Sequence, residues 1–186
     1  MKPAIIILLV VTSVFVSCKN SEDEIDRVEL VEHYYNILNE PDYSEAERLF
    51  SDSLIMKEGA YDQITSRADY VEILKWDAVF NPVYDVLGTQ EEEHEIKVKV
   101  SKMDKRIGLL HEKPFITQQI FKFEEGRIAA IETQYLNFDE KTWEGNKTAI
   151  VNWIKENHPE LNGFIYDQTE SGGKRFLRAM DLFNNR

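Results

Sequence analysis

Few of the 186 residues carry groups that do chemistry unaided: one Cys, at position 18, and four His, at 33, 94, 111 and 158. The histidines are far apart, and none stands in a His-x-x-x-His or Cys-containing ligand spacing, so no dedicated metal site is expected. There is no Gly-x-Ser-x-Gly elbow, dinucleotide fingerprint or calcium loop, and Gly172-Gly173-Lys174 lacks the upstream Gly and strand that a phosphate loop needs. No cofactor is expected. Glu91-Glu92-Glu93-His94-Glu95 gathers carboxylates without calcium-ligand spacing and reads as a solvated loop and strand edge. Gln119 is more informative, because it shares a strand face with Thr117 and Phe121, and a buried amide costs about 1 to 3 kcal/mol unless it is hydrogen-bonded. On a concave face it would be a polar group in an apolar space, as ligand pockets require. Trp76 and Tyr135 read either as further lining of that space or as core.

The elements that must position these groups can be read from periodicity. Ser21 and Glu24 form a capping box, and Ile25, Val28, Val31, Tyr35 and Leu38 recur at spacings of three and four, which predicts a helix over 22–39. Pro41-Asp42 stops it. Ser44 with Glu47 starts a short helix to about Phe50, and Ser66 starts another that carries Tyr70, Ile73, Leu74 and Trp76 toward the core until Asn81-Pro82. From Val83 the period is two: Ile96, Val98 and Val100 alternate with Lys97, Lys99 and Ser101. Phe115 to Phe123 and residues 127–137 complete a meander of about four strands around the turn Glu124-Glu125-Gly126, with a further short strand near Leu54 to Lys57. After Phe138 a helical period returns through Trp143, Ile150, Val151 and Ile154. A last amphipathic stretch holds Phe176, Met180 and Phe183, with Gly172-Gly173 as hinge or cap. Helices followed by a sheet indicate an α+β fold.

The chain is 42% hydrophobic and 30% charged, enough for one core, and a formal charge of -12 makes nucleic acid a poor partner. Residues 4–16 form an apolar run behind Met1-Lys2-Pro3, too short to span a bilayer and suited to a secretory signal. Phe15-Val16-Ser17-Cys18 resembles the lipobox of bacterial lipoprotein precursors. That resemblance implies a signal peptide over 1–17, a lipidated Cys18 and a tether over 18–23. Lipid, rather than charge, would then hold the protein on the bacterial cell envelope at the outer membrane. The mature chain would have no thiol, hence no disulfide and no cysteine nucleophile.

Tyr34-Tyr35-Asn36-Ile37-Leu38-Asn39 with Asp42, then Leu49-Phe50-Ser51-Asp52 and the hairpin from Phe123 to Ile128, resemble the nuclear transport factor 2-like superfamily, which includes the SnoaL-like proteins. The resemblance covers 24–138 and leaves 139–186 as a C-terminal helical extension packed on that domain. It implies N-terminal helices packed on a strongly curved antiparallel sheet, a cone-shaped roll. Carried over residue by residue, it places an oxyanion tyrosine at Tyr34, a carboxylate base at Glu58 and a second donor near Gln119. Its members include isomerases, dehydratases and non-enzymatic binding modules. The function expected from this reading is a membrane-anchored, non-enzymatic module. Its pocket of Tyr34, Glu58, Trp76, Gln119 and Tyr135 would take a small apolar ligand, or the domain would bind an envelope protein or a second copy through the sheet. The alternative is a small-molecule isomerase or dehydratase using Glu58 and Tyr34.

Overall fold

The computed structural model describes residues 26–59 and 61–186. The expected signal peptide, Cys18 and the tether lie outside the described residues. Among the described residues, no helix is long and apolar enough to cross a membrane.

Helix α1 (Arg27–Asn39) begins later than its apolar spacing predicts, because the Asp26 carboxylate accepts from the Val28 and Glu29 amides at 2.9 and 3.2 Å and so caps it there. Its buried face is Val31, Tyr34, Tyr35, Ile37 and Leu38. Helix α2 (Tyr43–Leu49) is capped by Asp42 rather than Ser44, whose hydroxyl donates to the same Asp42 oxygen at 2.7 Å. Helix α3 (Arg67–Ala78) starts at its predicted Ser66 cap.

Six strands form one sheet: β1 (Phe50–Glu58), β2 (Tyr61–Ser66), β3 (Val83–Glu91), β4 (Glu95–Met103), β5 (Phe115–Glu124) and β6 (Arg127–Tyr135). Their order is β2-β1-β6-β5-β4-β3. All neighbours are antiparallel except β1 and β6, which run parallel. Register shifts between Phe50 and Ile55, Val86 and Gly88, and Lys122 and Phe123 bend the strands, as bulges do, and curl the sheet. Glu125 and Gly126 both take positive φ, 49° and 71°, the backbone a two-residue hairpin with this twist demands. The architecture is therefore the expected α+β roll: the four-strand meander and the strand near Leu54 to Lys57, here the longer β1, are joined by β2, which was not expected.

Two apolar clusters hold it together. In the first, Phe50, Leu54, Ile96, Val98, Phe121 and Ile128 meet the buried faces of α1, α2 and α3, and all six are fully buried. Burying each such side chain stabilises the fold by about 1.5 to 3 kcal/mol relative to leaving it exposed. In the second, Trp76 and Phe80 pack on Leu110 of α4 (Lys105–Leu110), Ile150 and Ile154 of α5 (Glu140–Asn157), and Phe176, Met180 and Phe183 of α6 (Glu170–Asn184). The C-terminal extension thus closes on the outer side of α3.

Gly172 and Gly173 are neither hinge nor cap. Thr169 caps α6, and both glycines lie in its first turn. A Cβ on Gly173 would stand 3.1 Å from the Trp76 ring and carbonyl and 3.2 Å from Val79, so a missing side chain is what lets α6 touch α3.

Candidate active site

Because β1 and β6 run parallel, their C-terminal ends lie side by side. Glu58 pairs with Thr133, and Tyr135, two residues on, shares that face. The Tyr135 hydroxyl donates to Glu58 Oε1 at 2.9 Å. Both residues line a cleft of about 530 Å³. One wall is aromatic: Phe115 lies 5.1 Å from Tyr135 and 5.6 Å from Trp143, with Phe138 within 6 Å of all three. Trp76 and Ile73 of α3 form the other side, and Gln168, just ahead of α6, contributes from the extension. Tyr135 is 38% exposed, and its hydroxyl is pushed far above the usual phenol range by burial and by the Glu58 carboxylate. It therefore stays protonated and acts as a donor.

The remaining lining is charged. Asp77 of α3 accepts from Lys102 Nζ at 2.5 Å on one oxygen and from the Tyr84 hydroxyl at 2.7 Å on the other. Arg106 reaches Asp77 at 3.5 Å and Asp104 at 3.2 Å, and the Asp104 side chain, fully buried, also caps α4 through the Ile107 amide at 2.6 Å. Burial pushes the Asp77 carboxyl up, but Lys102 and Arg106, together with the hydrogen bonds from Lys102 and Tyr84, outweigh it and hold the group below the usual carboxylate range. Asp77 is ionised and fully engaged.

Two donors beside this network have no acceptor. Among the described residues, the buried side-chain polar atoms without a hydrogen-bond partner are Trp76 Nε1 and Arg106 Nε. An orphaned buried donor costs about 1 to 3 kcal/mol. The two belong to one contact pair, with the Arg106 guanidinium carbon 4.6 Å from the Trp76 ring centroid.

The structure brings Glu58, Trp76 and Tyr135 together and leaves two of the five predicted pocket residues elsewhere. Tyr34 is buried at 4% exposure, with its hydroxyl 2.7 Å from that of Tyr70 and its ring against Phe50 and Phe121. Gln119 accepts from the Tyr35 hydroxyl at 2.5 Å and donates to Thr133 Oγ1 at 3.3 Å, so its amide is satisfied inside the roll. Aromatic packing has filled the space where those two residues were expected to meet a ligand. His111 is likewise structural, its Nδ1 bonded to the Lys113 carbonyl at 2.8 Å and its Nε2 accepting from the Asp139 amide at 3.0 Å. Among the described residues, no group of three or more His, Cys, Asp or Glu could hold a metal ion. Sequence reasoning missed Asp77, Lys102 and Arg106. The alternation of Lys102, Asp104 and Arg106 just beyond the apolar strand residues is a local signal for the two cations, and nothing local marks Asp77 as their partner.

No protein-family model matches the sequence, and no curated protein matches it significantly. Solved structures do. A nuclear transport factor 2-like protein of unknown function from Cytophaga hutchinsonii superposes over 61% of this chain and 93% of its own, at 13% identity and a TM-score of 0.50. The fold is nuclear transport factor 2-like. Also similar is a ketosteroid isomerase candidate from Kribbella flavida, over 60% of this chain and 78% of its own, at 13% identity and a TM-score of 0.51. SalBIII, an epoxide hydrolase/cyclase-like enzyme of pyran-ring formation in the polyether salinomycin, matches over 61% of this chain and 92% of its own, at 17% identity and a TM-score of 0.52. These neighbours correct the expected function. Two of these three neighbours are described as small-molecule enzymes, which favours the alternative reading over a non-enzymatic binding module.

Proposed function

We propose that the protein is a small-molecule enzyme of the isomerase or dehydratase kind, in which Glu58 moves a proton at a substrate held in the aromatic cleft. The observation that carries this reading is the 2.9 Å bond from Tyr135 to Glu58 at the end of that cleft. Of the two carboxylates lining it, Asp77 has both oxygens taken by Lys102 and Tyr84, whereas among the described residues Glu58 is engaged by Tyr135 alone. Glu58 is thus the available base, and Tyr135, held neutral, fixes its orientation. The tyrosine of the site is Tyr135, because Tyr34 is committed to Tyr70. The aromatic wall suits an apolar substrate body and sheds water from the reacting carbon.

The test is exchange of the protons next to the carbonyl of enolisable ketones, acetophenone first, followed by NMR in deuterated water. A positioned general base contributes about 100-fold or more, so Glu58→Gln should lose at least that much of the exchange rate. Equal rates in wild type and Glu58→Gln, or no exchange in either across the panel, would overturn the reading.

We propose in addition that Cys18 carries lipid and holds this enzyme at the cell envelope, on the strength of its place at the end of the apolar run 4–16.

A further inference from the structure

We propose that Gln168 sets the substrate specificity of the cleft, and that the group it selects is a neutral hydroxyl carried by the ketone away from its reacting carbon. This deepens the reading of the cleft as an active site and rests on it. Gln168 is an exposed part of the cleft lining just ahead of α6, whereas Glu58 enters from the end of β1. The other polar groups of the lining are committed, Tyr135 to Glu58 and Asp77 to Lys102 and Arg106. Among the described residues no hydrogen bond reaches the Gln168 amide, while the residues on either side of it are tied to each other. Asp167 Oδ1 accepts from the Thr169 amide at 3.1 Å and from the Thr169 hydroxyl at 2.7 Å, an Asx turn. A Cβ on Gly172 would overlap the Asp167 carbonyl and side chain, so the missing side chain lets this turn lie flush on the first turn of α6. The backbone under Gln168 is therefore held while its amide is free, the division of labour a recognition residue needs.

The charges around the turn choose the partner. Asp167 is matched by Arg175 and Glu170 by Lys174, so no surplus charge of either sign is left to draw an ion. A primary amide offers two N–H donors and a carbonyl acceptor, and a hydroxyl, which both donates and accepts, answers both. Size sets where that hydroxyl lies. An apolar cavity of about 150 Å³ holds benzene, and the cleft, at about 530 Å³, is several times larger. A one-ring ketone at Glu58 leaves room beyond it, so the substrate is a longer apolar body with its hydroxyl toward the other end.

The probes are 1-tetralone and its 6-hydroxy, 7-hydroxy and 6-carboxy derivatives, with affinities from isothermal titration at pH 6, where the phenols are neutral. A hydroxyl buried without a partner weakens binding, so a gain in affinity requires one. At least one hydroxytetralone should bind wild type about 10-fold more tightly than 1-tetralone, and Gln168→Ala should bring that ratio to about 1. KM for proton exchange should follow the same ratio. No preference in wild type, an undiminished preference in Gln168→Ala, or tighter binding of the carboxylate than of either hydroxytetralone would overturn the assignment. Glu58→Gln separates this proposal from the one beneath it, and should keep the ratio while losing exchange. A Gln168-dependent preference with no exchange in wild type would sink the base assignment alone, whereas exchange without that preference would sink the Gln168 assignment alone.

Discussion

The hydroxyls of Tyr34 and Tyr70 lie 2.7 Å apart at the centre of the first core, and that bond is why Tyr34 takes no part in the cleft. Burial pushes both phenols above their usual range, so each stays neutral and each needs the other as donor or acceptor. A polar pair this deep stabilises by being complete.

Tyr34→Phe should therefore destabilise the protein by about 1 to 3 kcal/mol, because the Tyr70 hydroxyl is left buried without a partner. In a domain of this size that lowers the melting temperature by roughly 2 to 4 °C per kcal/mol. Ketone proton exchange should be unaffected. A variant with normal melting and lost exchange would restore Tyr34 to the reaction.

Asp77→Ala should cost about 3 to 5 kcal/mol, since it leaves Lys102 and Arg106 sharing the single carboxylate of Asp104. The Asp77 carboxylate also predicts an acid limb. Its folded-state pKa lies below the ordinary value of 3.8, so its contribution is complete above that value and is lost as pH falls through the folded one. Asp42, Asp139, Glu160 and Glu170, at exposed positions, and the half-buried Asp167 are lowered too, chiefly by hydrogen bonds. Melting temperature should fall steeply below pH 4 in wild type and less steeply in Asp77→Asn, as circular dichroism melts across pH 2 to 6 will show. Parallel curves would mean that Asp77 contributes nothing to the acid limb.

Much of this was legible in the chain, for identifiable reasons. The strand face of Ile96, Val98 and Val100 and the α6 stripe of Phe176, Met180 and Phe183 are amphipathic, and their periods survive folding unchanged. Strand β2 was not, because Thr65 is its one buried residue and no alternation marks it. Gln119 was placed on the right face, but its partner Tyr35 stands 84 residues away, and nothing local announces such a bond. Asp77 meets Lys102 across 25 residues and Arg106 across 29, so the charged end of the cleft exists only in three dimensions.

Gly173→Ala should be destabilising by about 1 to 3 kcal/mol, as overpacking of tight cores generally is. The added carbon meets the Trp76 carbonyl and the branched carbon of Val79, neither of which is a flexible tip. Because Trp76 is also a cleft wall, acetophenone affinity should fall along with the melting temperature. An unchanged melt would show that α6 can lift off α3 at little cost.

Cys18→Ser should abolish labelling by a palmitate analogue in a bacterial host and release the protein from the membrane fraction. Equal labelling of the two forms would remove the lipid from the account.

The parallel contact of β1 with β6 also orders events in time. The β3–β4, β4–β5 and β5–β6 pairs join neighbours in sequence, whereas β1 meets β6 only after a loop of roughly 75 residues has closed. Glu58 and Tyr135 are brought together by that closure and by nothing earlier. A chain still emerging from the ribosome cannot form the Glu58–Tyr135 pair until its sixth strand is out, so this end of the cleft is among the last features of the folded molecule to appear.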